Sequence, residues 1–153
     1  MAVHSVTHDN TEKYWDEGTQ ETWEEEMAGG RAITSAWANI QPDETQGARA
    51  PLLRLGGNRQ FDALANTGFA YDASMVAPLS NPPYWPYPLE YASPHRCHGN
   101  FQVCPSRSHA GVMEMVSVGD QDETSGNDTH FNNEKPGANR QSVGRSYSGR
   151  WVE

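Results

Sequence analysis

The first residues that could do chemistry are two histidines, His4 and His8, separated by three residues. Imidazoles at this spacing can face one metal ion, either on a helical turn or on the bend that follows a strand. Neutral imidazole binds Zn²⁺ well at about 2.0–2.1 Å, but a catalytic zinc site needs about three protein ligands and an open position. The spacing is common by chance, so taken alone it favours two polar loop histidines over half of a metal site.

A second candidate is Arg49, which stands directly before Ala50 and Pro51. An arginine in front of a proline-fixed bend can hold a carboxylate in a set direction through its planar guanidinium group. Taken alone, however, a surface arginine at the end of a strand explains this pattern better.

Residues 78–91 combine five prolines with the aromatic residues Tyr84, Trp85, Tyr87 and Tyr91. So many prolines are incompatible with a helix or an interior strand, which predicts a stiff aromatic loop. Flat aromatic faces can pack against the C–H faces of sugars and against small acyl groups. A packed lid is the alternative, and it is compatible with a substrate wall. A proline-rich ligand of the WW type does not fit, because Tyr84 directly follows Pro83.

The two cysteines, Cys97 and Cys104, allow two interpretations. With His98 and His109 they could form a small structural zinc module, or they could close a disulfide loop. Zinc modules usually show C-x-x-C or H-x₃₋₅-H spacings, and this segment has neither. We therefore favour the disulfide, provided that the compartment is oxidising.

A long helix is the clearest predicted element. Thr19 or Thr22 can cap its beginning, and Pro42 ends it. The glycines Gly29 and Gly30 weaken its middle. Apolar residues recur at steps of three and four, which places them on one face of the helix. These residues are Trp23, Met27, Gly30, Ile33, Trp37 and Ile40.

The other segments alternate between strand and helix, which is typical of parallel α/β units. Strands are predicted at residues 1–3, 47–55 and 69–72, a polar turn region at 9–18, and a short helix at 59–67 that Gly68 closes. From Ser117 onward small and polar residues dominate, and such a stretch cannot bury enough apolar surface to order itself. The sequence therefore predicts one domain in residues 1–116 and a disordered tail at 117–153.

Charge and hydropathy exclude two classes of partner. The net charge is −9, so the chain should repel nucleic-acid backbones. No apolar run approaches the roughly 20 residues that span a bilayer, and no signal peptide is visible. We expect a monomer that binds neither nucleic acid nor membrane.

Taken in order, several segments resemble animal chitin deacetylases of the polysaccharide deacetylase (NodB homology) family. They are H-S-V-T-H at 4–8, E-M-A-G at 26–29, R-A-P at 49–51, R-L-G-G-N-R-Q-F at 54–61 and the unusual run at 77–100. The resemblance covers residues 2–116. It implies an α/β fold, an incomplete distorted (β/α) barrel, and a zinc-dependent, secreted hydrolase that removes acetyl groups from N-acetylglucosamine units of chitin or chitooligosaccharides.

The resemblance also implies roles for single residues. His4 and His8 would be the two histidine ligands of one divalent cation, Zn²⁺, and Arg49 would orient the catalytic base. Leu52, which replaces an aromatic residue of the family, would offer its backbone N–H to the oxyanion. The family's fourth motif falls between Asp72 and Trp85. Trp85 would then be a wall for the acetyl group, with Tyr84 and Tyr87 as further sugar contacts.

Two parts of the family pattern have no counterpart. A T-F-D-D-like run, which supplies the base and an aspartate ligand, would precede His4, and an apolar run ending in a general-acid histidine would follow Val116. We therefore expect a fragment that is nearly inactive alone. The rival functions are a chitin-binding protein without hydrolysis and a structural zinc module on Cys97, His98, Cys104 and His109.

Overall fold

Parallel pairing of short strands organises the part of the chain that the computed structural model describes, residues 1–97 and 102–119 of the 153. The strands are β1 (Ala2–Val3), β2 (Gly47–Ala48), β3 (Tyr71–Asp72), β4 (Val76–Pro78), β5 (Tyr87–Pro88), β6 (Met113–Glu114) and β7 (Ser117–Gly119). The helices are α1 (Glu12–Glu17), α2 (Gln20–Ala38) and α3 (Asn58–Asn66), with 3₁₀ turns at Pro42–Glu44 and Pro51–Leu53. None of these helices is long and apolar enough to cross a membrane.

The main sheet has the order β1-β2-β3-β6-β5, in which the first four strands are parallel and β5 runs antiparallel to β6. Strands β4 and β7 form a separate parallel pair. This arrangement confirms the predicted α/β class with parallel strands. Within the described residues the sheet is open, with β1 and β5 at its edges, and closure into a barrel stays a prediction.

The register aligns the carboxyl ends of the parallel strands. Val3 lies opposite Ala48, Ala48 opposite Asp72, and Asp72 opposite Glu114. The next residue of each strand continues the ladder: the Arg49 N–H donates to the Val3 carbonyl at 2.9 Å. The residues that follow β1, β2, β3 and β6 therefore emerge along one edge of the sheet, which we call the carboxyl edge.

Helix α2 follows the prediction in its first half and departs from it in its second. Thr19 caps it, its hydroxyl oxygen accepting from the Thr22 N–H at 3.2 Å. Trp23 and Met27 are buried, but Ile33 is 48% and Trp37 is 85% exposed. The helix ends at Ala38, before the predicted stop at Pro42. Periodicity shows that a helix is amphipathic, whereas burial also requires a neighbouring element along its whole length.

Three further predictions need correction. The polar region 9–18 contains α1, because Trp15 is buried there with its ring 5.1 Å from that of Trp23. The strand predicted at 47–55 is only Gly47–Ala48, since Pro51 lacks an N–H and begins a 3₁₀ turn. The predicted tail is wrong at its first three residues, because Ser117–Gly119 pairs with Val76–Pro78. Residues 120–153 lie outside the described part.

Candidate functional site

The carboxyl edge gathers the residues that the sequence marked as chemical. His4 directly follows β1, Arg49 directly follows β2, and Asp72 and Glu114 are the last residues of β3 and β6. In open parallel α/β sheets, ligands bind outside the carboxyl ends of the strands. The topology therefore places residues that are far apart in sequence along one potential binding edge.

The two imidazoles converge. The ring centroids of His4 and His8 lie 4.7 Å apart at an interplanar angle of 55°, and both side chains are exposed. The loop between them is tightly bent, with positive φ at Ser5 (113°) and His8 (48°). The Ser5 hydroxyl accepts the His8 N–H at 3.1 Å. Two nitrogen donors on such a loop can bind one cation from the same side.

The donor set fits a divalent cation in part. His4 and His8 can supply two neutral imidazoles, which suit zinc. Nowhere in residues 1–97 and 102–119 do three histidine, cysteine, aspartate or glutamate side chains come together as a metal site. The described residues therefore supply two ligands of the three that a catalytic zinc normally takes from protein.

Glu26 lies behind the histidine loop, and the sequence did not single it out as a site residue. This carboxylate of α2 is only 3% exposed. Its Oε2 accepts the N–H groups of Val6 and Thr7, each at 2.9 Å, and its Oε1 accepts the hydroxyls of Thr7 and Tyr14, each at 2.7 Å. Burial alone would raise the pKa of Glu26, but these hydrogen bonds outweigh it and lower that pKa, so the group is charged.

Arg49 and the bend after it form the next part of the edge. The Arg49 Nη1 donates to the Ala73 carbonyl at 3.0 Å, which ties the arginine to the end of β3. Leu52 and Leu53 both have left-handed φ values, 55° and 53°. Consecutive non-glycine residues in this region are strained, and such strain persists only where the surroundings hold it.

Buried side chains hold this strained bend at several points. The Ser74 hydroxyl accepts the Ala50 N–H at 2.7 Å, and Gln102 Nε2 donates to the Leu53 carbonyl at 2.9 Å. After the bend, Gln60 Oε1 accepts the Gly56 N–H at 3.0 Å. None of these three polar side chains stood out in the sequence, because their partners are distant along the chain.

Asp72 and Glu114 form a buried carboxyl pair. Asp72 accepts hydrogen bonds from the Ser74 N–H and hydroxyl, both at 2.8 Å, and from Gln60 Nε2 at 3.0 Å. Glu114 accepts only the Met75 N–H, at 3.2 Å, and its Oε2 meets no donor among the described residues. Burial, and next the adjacent Asp72, raise the pKa of Glu114 far above its usual range. Burial raises the pKa of Asp72 as well.

Burial raises the pKa of both carboxyls, which favours one proton within this pair. Asp72 receives three donors, which favour its charged form, so the proton resides on Glu114. A protonated Glu114 can then donate to Asp72 through the oxygen that otherwise meets no donor. The positive charge of Arg49 opposes the rise in the pKa of Glu114 but does not outweigh burial.

The aromatic loop reaches the carboxyl edge at the opposite end of the sheet. Tyr87 lies opposite Glu114 in the antiparallel β5, so Trp85 precedes the strand at that edge. Four strand spacings of about 4.8 Å separate β5 from β1, which is about 19 Å along a flat sheet. Among the described residues, no ring contact or hydrogen bond joins this loop to His4 or His8.

The three predicted sugar-binding aromatics differ in exposure. Trp85 is 77% exposed and free to meet a ligand. Tyr84 packs on His95 with ring centroids 4.8 Å apart. Tyr87 is partly buried against the core, and a hydrogen bond of 2.8 Å joins its hydroxyl to His95 Nε2. The structure thus gives Tyr87 a structural setting that the sequence could not distinguish from a binding role.

Cys97 and Cys104 form a disulfide with Cα atoms 5.5 Å apart. Oxidised cysteines cannot supply thiolate ligands, so the alternative of a structural zinc module is wrong. His109 instead packs against α3, where its Nδ1 lies 3.2 Å from an Asp62 carboxylate oxygen. His98 lies outside the described residues.

Fold and site together define an α/β protein with two convergent imidazoles, a strained bend after an Arg-Ala-Pro segment and an exposed tryptophan along one sheet edge. No protein-family model matches the chain. Two Bombyx mori proteins do match it. Chitin deacetylase 1 is 50% identical over 116 residues, 76% of this chain, and chitin deacetylase 8 is 29% identical over 120 residues.

Over those residues the chain is a homologue of chitin deacetylase 1. The alignments span 21% of the length of chitin deacetylase 1 and 31% of that of chitin deacetylase 8. A solved structure from Mycobacterium smegmatis, described as a polysaccharide deacetylase, superposes with a TM-score of 0.49 at 18% identity. That match covers 74% of this chain and 30% of the other.

Proposed function

We propose that this chain forms part of a metal-dependent hydrolase that removes N-acetyl groups from chitin. The observation that carries the proposal is the carboxyl edge, where His4, Arg49 and Leu52 follow neighbouring parallel strands. Its support from outside the structure is the 50% identity to chitin deacetylase 1 over 116 residues.

His4 and His8 would hold one divalent cation, Zn²⁺ by the preference of imidazole ligands. A bound zinc ion supplies Lewis acidity toward the acetamide carbonyl. The exposed position of both rings supports this role, because a polymer must reach the cation from solvent.

Arg49 and Leu52 would act on groups beside that cation. Tied to the Ala73 carbonyl at 3.0 Å, the Arg49 guanidinium can hold a catalytic carboxylate in a fixed direction. The left-handed bend at Leu52, with φ of 55°, turns its backbone, and its N–H would donate to the oxygen on which charge develops. A backbone donor works with leucine as well as with an aromatic side chain.

Trp85 would stack on the sugar, with Tyr84 beside it. The exposed indole at the same edge supports this assignment. Tyr87 would contribute indirectly, because its hydroxyl holds His95 and its ring supports the loop from within. The separation of about 19 Å between β1 and β5 would suit several consecutive sugars of a polymer better than a single one.

We propose further that these 153 residues hydrolyse little by themselves and that the whole protein is secreted. The first part is supported by the described residues, which supply two imidazoles where about three protein ligands are needed. The second is supported by the Cys97–Cys104 disulfide, since such bonds persist in oxidising compartments.

A chimera tests the catalytic assignment. The 116 residues that match chitin deacetylase 1 replace the corresponding segment of that protein. We expect zinc-dependent acetate release from a chitin hexamer, and a loss of about 100-fold or more in kcat/KM after His4→Ala or Arg49→Ala. Glu25→Gln, an exposed charge change on α2, is the matched control and should leave activity intact. A folded chimera that binds zinc and releases no acetate contradicts the proposal.

Chitin binding without hydrolysis is a second candidate, favoured by the exposure of Trp85 at 77%. The purified chain should be retained on chitin beads, and Trp85→Ala should weaken retention several-fold, while Tyr87→Phe should not. If the purified chain is retained on chitin but releases no acetate from it, the result supports binding without hydrolysis for the chain alone. Robust zinc-dependent release would instead contradict the proposed inactivity.

A further inference from the structure

We infer that Glu26, Gly29 and Gly30 of α2 form a seat that fixes the histidine loop, residues 4–8, so that its two imidazoles converge before any metal binds. The inference rests on the metal site proposed above. It makes Glu26 a positioning residue that touches neither substrate nor metal but holds the backbone between the ligands.

The first part of the argument is the number of donors that meet on Glu26. Two consecutive N–H groups of the loop, from Val6 and Thr7, both point at Oε2 at 2.9 Å, and the Thr7 hydroxyl donates to Oε1 at 2.7 Å. Only a carboxylate can accept at every position, since an amide would turn an NH₂ group toward some of these donors. Hydrogen bonds to a charged acceptor are also stronger than neutral ones.

The second part is the close approach of the loop to the helix. A Cβ on Gly30 would lie 3.1 Å from the Ser5 carbonyl oxygen and 3.2 Å from its carbon. A Cβ on Gly29 would lie 2.7 Å from a methyl group of Val6. Glycines that weaken the middle of a helix thereby allow the loop backbone to rest directly on α2.

The third part is the support of the seat itself by α1. Tyr14 donates its hydroxyl to Glu26 Oε1 at 2.7 Å, which fixes the carboxylate from the other side. Trp15 Nε1 donates to the Asp9 carbonyl at 2.8 Å, which anchors the chain just after His8. The loop is therefore held at its centre by Glu26 and just beyond its end by α1.

This support explains how the loop keeps its unfavourable backbone. Ser5 and His8 both have positive φ, at 113° and 48°, and non-glycine residues adopt such values only under constraint. The same constraint brings the two ring centroids to 4.7 Å. In protein metal sites, groups that orient the ligands typically contribute about 10- to 100-fold to affinity.

The test compares Glu26→Gln with Glu25→Gln, which removes the same charge from the exposed side of the same helix. Without metal, amide exchange of Val6 and Thr7 should accelerate at least about ten-fold in Glu26→Gln and stay unchanged in Glu25→Gln. In calorimetric titration with zinc, Glu26→Gln should bind about ten-fold more weakly than the unsubstituted chain. Circular dichroism confirms that each variant is folded.

Gly30→Ala is the second variant, and it serves if Glu26→Gln does not fold. Alanine favours the helix but crowds Ser5, so zinc should bind more weakly while helix content is retained. Slow amide exchange in Glu26→Gln, or undiminished zinc affinity in both variants, would overturn the seat. Zinc affinity that is unaffected by a His4→Ala, His8→Ala double variant would instead overturn the metal site, whatever the exchange rates show.

Discussion

Glu26 and Glu114 are both buried glutamates beside the candidate site, yet their pKa values move in opposite directions. Glu26 accepts four hydrogen bonds and its pKa is lowered despite burial. Glu114 accepts one, faces Asp72 and has a raised pKa, first because of burial and then because of that neighbour. Burial alone therefore does not set the charge of a carboxyl group; the number of donors that meet it does.

The two glutamates lie beside different parts of the carboxyl edge. On the His4 side, a charged carboxylate holds an exposed loop from behind. Beside Arg49, the neutral carboxyl of Glu114 belongs to a buried network of hydrogen bonds. Ser74 of this network holds the strained bend at Leu52 and Leu53 through the Ala50 N–H. The candidate site thus combines a loop that is open to solvent with a buried network of polar side chains.

The largest effect should come from removing the charged member of the buried pair. Asp72→Ala leaves the Ser74 N–H, the Ser74 hydroxyl and Gln60 without their acceptor. We expect a loss of about 3 kcal/mol in the free energy of unfolding, measured by urea denaturation. Asp43→Ala, at an exposed aspartate, should change it by less than about 0.5 kcal/mol. Equal losses in the free energy of unfolding for Asp72→Ala and Asp43→Ala would contradict a charged, hydrogen-bonded Asp72.

Removing the charged glutamate should have the next largest effect. Glu26→Ala deprives Val6, Thr7 and Tyr14 of their acceptor, although water can reach part of the loop. We expect a loss of about 2 kcal/mol in urea denaturation. The control is Glu25→Ala, which should be close to neutral. If Glu26→Ala were equally neutral, the hydrogen bonds to Glu26 would not stabilise the fold, and the proposed difference between Glu26 and Glu114 would be contradicted.

The pH dependence of stability should reveal the neutral glutamate. A raised folded pKa means that Glu114 stabilises the fold below its unfolded value of about 4.5 and that this contribution is lost as the pH rises toward the folded value. Glu114→Gln keeps a donor toward Asp72 without a titrating proton. Between pH 6 and pH 9 only the folded state holds this proton, so the free energy of unfolding of the unsubstituted chain should fall more steeply than that of the variant, by up to about 1.4 kcal/mol per pH unit in urea unfolding. A steeper decline in Glu114→Gln would mean that Glu114 is charged.

The smallest effects on stability should come from alanine substitutions at the two glycines of the seat, Gly29 and Gly30, and should differ between them. Alanine at either position gains helix propensity of about 0.5–1 kcal/mol. At Gly29 the obstacle is the end of the Val6 side chain, which can rotate, so Gly29→Ala should stay within about 0.5 kcal/mol of neutral. At Gly30 the obstacle is the Ser5 backbone, so Gly30→Ala should be the less stable variant. The opposite order in thermal unfolding would show that the loop does not rest on Gly30.

Local patterns predicted those elements whose stability depends on neighbours in sequence. The cap at Thr19, the apolar face in the first half of α2, and the helix closed by Gly68 all agree with the structure within a few residues. Parallel α/β organisation was also predictable, because strand and helix signals alternate along the chain. The family resemblance, rather than the spacing, predicted one cation between His4 and His8; their ring centroids lie 4.7 Å apart, and the cation itself stays a prediction.

Tertiary structure alone decided what surrounds those residues. The seat at Glu26, the pairing of Asp72 with Glu114 and the inward ring of Tyr87 all depend on sheet register and on contacts between distant segments. The exposure of Trp37 depends on which residues of α2 meet another element of the fold, and periodicity does not report this. Sequence therefore determined which groups could do chemistry and which segments could order locally. Packing and long-range hydrogen bonds determined their direction and charge, because these depend on which distant donors each group meets.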